Sequence, residues 1–323
     1  MEYSKIDQDH SSPSKEQFKI DSAMRIGYVS LNVSDINTSI DFYKSILGFK
    51  TVGRVSNERA LLGVSGAGTS SYLVELLQVR AQDGTGASKV GRPEKDATRR
   101  RAGLYHFAIL LPERRFLADM LQNLGGKRDQ VYFDGLADYL VSESIYIRDP
   151  DFNGIEIYQD RPRFKWNWRR NHVEMATLPL NTADLLKECT EEGWREMPAK
   201  TIIGHVHLHV SDTAKARMFY QETMGLQTTA SIPNALFFAA NGYHHHVATN
   251  TWLGTDIAEA VSENIGLNHF SIELSNRDRY TRLLSQLADR RNVVLAKTDS
   301  DNSVIVHDAD GIKIRLQCDA LAL

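Results

Sequence analysis

The sequence predicts an α+β fold of four βαβββ modules, which form two curved-sheet domains. Three observations carry this. Residues 27–49, GYVSLNVSDINTSIDFYKSILGF, match residues 204–226, GHVHLHVSDTAKARMFYQETMGL, without a gap. A second pair, GLYHFAILL at 103–111 and GLNHFSIEL at 266–274, repeats a shorter start. Each start opens with alternating residues, which is the period of a strand, and then runs into a helical pattern.

In chain order, residues 1–20 are polar, hold Ser-Ser-Pro-Ser and predict a flexible tail. The first module begins near residue 26. Ser34-Asp35 supplies a helix N-cap, Gly48 ends the helix, and SYLVELLQV reads as a later strand. Residues 81–101 are rich in Gly and charge, lack periodicity and predict an exposed loop ending in the Arg99–Arg101 triplet. The second module begins near 104, with helix FLADMLQNLG and strands within SIYIRDPDFNGIEIY. Modules one and two make the first pair in sequence, 21–162. Residues 163–200 are a connector, basic and aromatic at first (FKWNWRRNH) and helix-like around TADLLKECTEEGW. Modules three and four, starting near 203 and 267, make the second pair, 201–323. Their strands lie in ALFFAANGYHHHVATN and NSVIVHDADGIKIRLQ.

Composition excludes several functions. A chain of 323 residues suits two domains, each able to bury a core. A net charge of −3 gives no global pull toward nucleic acid or anionic lipid, and one stretch of interleaved Arg and Trp does not alter that. No run of 18 apolar residues exists, so no membrane span is expected. Residues 1–20 lack the apolar core of a secretory signal. Two cysteines, Cys189 and Cys318, cannot build a disulfide framework or a thiolate zinc site. A cytoplasmic location is expected. The oligomeric state stays open, a homo-oligomer included.

Strand parity places the histidines, because alternate residues share a face. In GHVHLHV, Val206, Leu208 and Val210 make the core face, so His205, His207 and His209 face the concave side together. In GLYHFAIL, Tyr105, Phe107 and Ile109 pack one way and His106 the other. In GIEIY, Ile155 and Ile157 pack inward, opposite Glu156 and Tyr158. In YHHHVA, Val247 sets the core face, leaving His244 and His246 on the concave side and His245 beneath. His106 and His205 occupy corresponding first-strand positions of two modules. Two imidazoles with one carboxylate and open positions suit non-haem Fe(II), tolerate Mn(II) and can hold Zn(II).

At these residues the sequence resembles the vicinal oxygen chelate superfamily: glyoxalases, bleomycin and fosfomycin resistance proteins, and extradiol ring-cleaving dioxygenases. Within it, the two-domain catechol 2,3-dioxygenase-like proteins are the nearer match, over most of residues 24–318. The resemblance rests on GLYHFAILLPERRFL, VSESIYIRDPDFNGIEIYQDRPRFKW, IIGHVHLHVSD and GYHHHVATNTW, and on the signature from Ile145-Tyr146 through Asp149-Pro150 to Glu156. It implies Fe(II), O2 and a small aromatic diol. It implies His106, Glu156 and His205 as metal ligands, and Tyr146 as a substrate-positioning residue. His246, or its neighbour His245, falls at the acid/base histidine. Two positions depart from the signature: Tyr139 replaces an upstream histidine, and Phe152 replaces a glycine. Alternatives to an extradiol dioxygenase are a glyoxalase-like metal-dependent lyase or isomerase, and a small-molecule-binding or resistance protein without turnover.

Module pairing decides whether the ligands meet. Paired in chain order, one cup holds Tyr28, His106 and Glu156, and the other holds His205, His269 and Arg315. Neither is a complete triad. Pairing module 2 with 3 collects His106, Glu156, His205 and His246. Pairing 1 with 4 leaves Tyr28, Glu75, His269 and Arg315, a metal-free set. The sequence therefore predicts one metal site, between the middle modules.

Overall fold

A computed structural model describes residues 18–65, 72–79, 100–261, 263–288, 295–297 and 303–318. Most of the expected tail, and of the expected loop at 81–101, lies outside the described residues.

Each module begins with an alternating strand that leads through a capped turn into a helix. In the first, β1 (Arg25–Val33) precedes α1 (Ile36–Ser45), and the Asp35 carboxylate accepts from the Thr38 amide. Then follow β2 (Lys50–Ser56), β3 (Arg59–Gly63) and β4 (Val74–Gln78). The second runs β5 (Gly103–Leu110), α2 (Arg114–Gly125), β6 (Tyr132–Asp138), β7 (Ser142–Arg148) and β8 (Gly154–Asp160). The connector holds a small hairpin, β9 (Trp168–Arg169) and β10 (His172–Val173), and a single helical turn, α3 (Thr182–Leu185).

The third module starts with β11 (Ile202–His209) and α4 (Thr213–Arg217), capped by Asp212 and extended by a π-helical stretch over Met218–Thr223. It continues with β12 (Gln227–Ile232), β13 (Ala235–Ala239) and β14 (Val247–Asn250). The fourth comprises β15 (Gly266–Leu274), α5 (Arg277–Ala288), β16 (Leu295–Lys297), β17 (Val304–His307) and β18 (Lys313–Cys318).

Two eight-stranded sheets result, each drawing strands from both halves of the chain. One runs β16-β17-β18-β15-β1-β4-β3-β2 and the other β12-β13-β14-β11-β5-β8-β7-β6. Modules one and four thus share a sheet, as do modules two and three. The antiparallel seam of the second sheet, β5 on β11, pairs His106 with His207 and Ala108 with His205. Parallel β8 then sets Glu156 beside Ala108.

The predicted core faces are buried: Phe107, Ile109, Ile155, Ile157, Val206, Leu208 and Val210 are at most 1% exposed. They join an apolar cluster with Leu117, Met120 and Leu124 of α2. The connector adds a second, smaller cluster on the concave side. There Trp166 and Val173 pack with Phe237 and Tyr243 and with Ala230, Ala235, Ala239 and Ala248. Four alanines leave the space that the indole fills.

Candidate metal centre and cavity

The metal-ligand candidates meet because of a small residue between two of them. His205, Ala108 and Glu156 form one row across β11, β5 and β8. Ala108 fills almost no space, so the flanking imidazole and carboxylate lean together above it. His106 arrives from two residues along β5. His106 Nε2 and His205 Nε2 each lie 3.0 Å from the same oxygen, Glu156 Oε2. One ligand atom from each of the three residues lies within 4.8 Å of the others. All three are buried, at 5%, 1% and 3% exposure for His106, His205 and Glu156. Ser144 Oγ donates to the other carboxylate oxygen at 2.7 Å.

The electrostatics suit a cation. Burial pushes the Glu156 carboxyl up, but the imidazoles, His205 first, more than reverse this and hold it well below the usual carboxylate range. Burial pushes His106 down, against the pull of Glu156, toward the neutral form that ligates metal. His106 Nε2 is close to Glu156 yet off the line a hydrogen bond needs, so this buried nitrogen lacks a hydrogen-bond partner. A divalent cation among two Nε2 lone pairs and a carboxylate would satisfy it. The donor set thus fits such an ion. Gly154 keeps β8 close to β5, since a Cβ there would meet the Tyr105 carbonyl oxygen.

A cavity of about 560 Å³ opens over His106 and Glu156 of the triad; His205 does not line it. His207 lines it and Burial pushes its imidazole well down. Its Nε2 pairs with the Asn250 side-chain amide at 3.0 Å, and Asn250 also pairs with His209 Nδ1 at 2.8 Å. Tyr146 and Tyr139 also line it, and Tyr146 donates to the Tyr139 hydroxyl at 2.8 Å. Burial, then the Glu156 charge, pushes both phenols up, so both stay protonated.

Two face assignments from parity are corrected. His245, not His246, lines the cavity, with its ring centroid 4.0 Å from that of His205. His246 turns onto the Tyr243 ring, near the Ala240 amide, and burial pushes its imidazole down to about 3. The reason is local: β14 begins at Val247, and residues 243–246 are not extended strand, so alternation does not reach them. Tyr105 also lines the cavity instead of the core. The register skips it, pairing His207 with His106 but Leu208 with Leu104, as a bulge does.

His245 has support behind it. Its Nδ1 is 2.8 Å from His244 Nδ1, and His244 Nε2 is 2.9 Å from Asp160 Oδ1. Burial, then the neighbouring imidazoles, pushes His245 well down. Ser144 and Asp160 were not among the sequence candidates, although parity with Tyr146 and Glu156 would have reached both. Ala108 carried no signal of its own. Phe152, at the signature's glycine position, has φ 64, the left-handed backbone that a glycine would adopt without strain.

The corresponding positions of the other sheet close on themselves. Tyr28 pairs with His269 Nε2 at 2.9 Å and accepts from Arg315 at 3.0 Å, while Arg59 pairs with Glu75 at 2.6 Å. Among the described residues, only His106, Glu156 and His205 form a cluster with metal-ligand spacing.

The chain is similar to known proteins in sequence and in fold. The model of the Glyoxalase/Bleomycin resistance protein/Dioxygenase superfamily matches residues 25–157 and 202–316. The catechol-2,3-dioxygenase of Bacillus subtilis (strain 168) is 34% identical over 287 residues, 88% of this chain and 93% of that protein. Among solved structures, a putative dioxygenase from Bacillus subtilis superposes with a TM-score of 0.59 at 13% identity, covering 94% of this chain and 86% of the other. Glyoxalase I from Zea mays superposes with a TM-score of 0.52 at 16% identity, covering 91% and 92%. These two likenesses show the shared fold. The chain belongs to the Glyoxalase/Bleomycin resistance protein/Dioxygenase superfamily.

Proposed function

We propose that this protein is an extradiol ring-cleaving dioxygenase that acts on a catecholic diol, with Fe(II) held by His106, Glu156 and His205. The observation that carries the reading is the triad itself: two imidazoles and one carboxylate on one face, of which His106 and Glu156 line a cavity large enough for an aromatic ring. The curated relative named a catechol-2,3-dioxygenase, similar over nearly its full length, favours ring cleavage over glyoxalase chemistry. Bound there, Fe(II) would supply Lewis acidity toward the diol and the electrons that activate O2.

The chain's own residues supply the rest. His245, neutral and facing the cavity, takes a proton from a diol hydroxyl and later returns it. The Asp160–His244 pair fixes its ring. Tyr146 and Tyr139, both protonated, orient the diol by hydrogen bonds. His246 lies off the cavity and takes no part. Phe237 and Val141, both buried and both lining the cavity, keep water from the reacting ring.

The test is oxygen uptake. Protein loaded anaerobically with Fe(II), then given catechol and air, should consume one O2 per ring opened, followed by the yellow absorbance of the product. Turnover of a hemithioacetal without O2 uptake would instead mark a glyoxalase-like lyase or isomerase.

A further inference from the structure

We propose that the diol carries an uncharged, apolar ring substituent, selected by Met175 of the connector and by the Asp134–Arg148 ion pair. This rests on the ring-cleaving reading above.

Size comes first. The cavity of about 560 Å³ falls in the range that encloses drug-sized ligands. A bare dihydroxybenzene at the triad leaves much of it unfilled. The cavity lining includes the apolar side chains Leu136, Val141, Met175, Ile232 and Phe237, with Ser142 and Thr177 adding two hydroxyls. Moving apolar surface from water onto such walls is favourable in proportion to its area.

Charge comes second. Among the described residues, the charged side chains lining the cavity besides Glu156 are Asp134 and Arg148. Arg148 Nε lies 2.7 Å from Asp134 Oδ2, and its guanidinium also donates to the Phe152 carbonyl at 3.1 Å. The arginine is therefore already neutralised. A carboxylate on the ring would have to displace Asp134 or sit near two anions, Asp134 and Glu156. Burying such a charge without a partner is costly, so the site rejects acidic diols.

The wall is held in place. Met175 belongs to the connector, which is tied to β6 by reciprocal backbone hydrogen bonds between Asp138 and Leu178, both 2.9 Å. On its other side, Trp166 donates its indole N–H to the Arg161 carbonyl at 2.9 Å and is seated with Val173 on small residues of the third module. Met175 thus fills a fixed position with an adaptable side chain, which tolerates substituents of varied shape.

Anaerobic calorimetry of the Fe(II)-loaded protein with catechol, butylcatechol and protocatechuate (a catechol carboxylate) tests this. Butylcatechol should bind about tenfold tighter than catechol, and protocatechuate no tighter than catechol. Met175→Trp should cost butylcatechol about tenfold and leave catechol within about twofold. Asp134→Asn frees Arg148 and should strengthen protocatechuate about tenfold with catechol unchanged; this second variant does not depend on the connector. Wild-type preference for protocatechuate, or a Met175→Trp loss equal for both neutral diols, overturns the inference. Catechol binding with no gain from the butyl chain overturns it too, while the ring-cleaving reading stands. If no diol binds, both fall.

Discussion

Ala108 shows how one small residue makes a site. A larger side chain in the His205–Ala108–Glu156 row would occupy the space into which both ligands lean. Ligand positions were legible in the sequence because strands β5, β8 and β11 alternate regularly there, while Ala108 reads as one more alanine. His106→Ala or His205→Ala removes one of three ligands. Each should weaken metal binding by more than the ~10–100-fold that outer partners such as Ser144 typically contribute. His269→Ala, whose Nε2 pairs with Tyr28 in the other sheet, should leave metal content unchanged. Metal per chain after dialysis decides this, and an empty site in His269→Ala with a full one in His106→Ala would refute the assignment. The adjacent histidines separate in the same way. His245→Ala should lower turnover by ~10²–10⁴-fold, the usual worth of an acid–base group, whereas His246→Ala should leave it within a few fold. Equal losses would mean that cavity lining does not identify the proton carrier.

At the scale of elements, the starts of the modules were readable and their irregular joints were not. Asp35 and Asp212 cap helices after alternating strands, and both the pattern and the cap sit in the sequence. The bulge at Tyr105 depends on how β5 meets β11, a contact about a hundred residues apart in the chain. The turn that brings His245 forward depends on where β14 stops pairing. The connector is the clearest case. Its Arg and Trp read only as a basic, aromatic connector, yet Trp166 is 6% exposed and clusters with Phe237, Tyr243 and four alanines of the third module. That partnership spans separate modules and leaves no local pattern. Trp166→Ala should destabilise the fold by about 3 kcal/mol, the low end for a buried aromatic cut to alanine. Metal binding should survive, because the triad stands on β5, β8 and β11. Urea unfolding together with metal content checks both, and an undiminished midpoint would mean the connector is only laid across the cup.

At the scale of the whole molecule, a repeated pair of contacts ties one sheet to the other, and its titration opposes that of the histidines. Tyr43 of the first module donates to Asp149 of the second at 3.1 Å, and Tyr220 of the third donates to Asp308 of the fourth at 2.9 Å. Each such aspartate also accepts two backbone amides, from Asp151 and Asn153 and from Asp310 and Ile312. Burial still pushes Asp149 up to about 6 and Asp308 up to about 7. Their folded values exceed the unfolded one of about 3.9, so their contribution is complete below about pH 4 and is lost as pH rises through about 6 and about 7. The histidines run the other way. Burial pushes down His106, His207, His209, His245, His246 and His269, with His209 and His269 at about 4. Their unfolded value is about 6.5, so their contribution is complete above it and is lost as pH falls toward the folded values. Six histidines outweigh two aspartates below that point and still outweigh Asp308 just above it, where about a quarter of each unfolded imidazole keeps its proton. Metal-free protein should therefore lose stability steeply as pH falls from about 6.5 toward 4 and level off above about pH 7. Asp308→Asn keeps a carbonyl acceptor for the two amides without the buried charge. It should leave stability near pH 4 little changed and raise it at pH 8 by up to roughly 4 kcal/mol, for about three pKa units at about 1.4 kcal/mol each. Urea unfolding across pH 4–8 measures both curves. An Asp308→Asn protein no more stable than wild type at pH 8 would show that this buried carboxylate carries no cost and that the clamp between the sheets is ionised without strain.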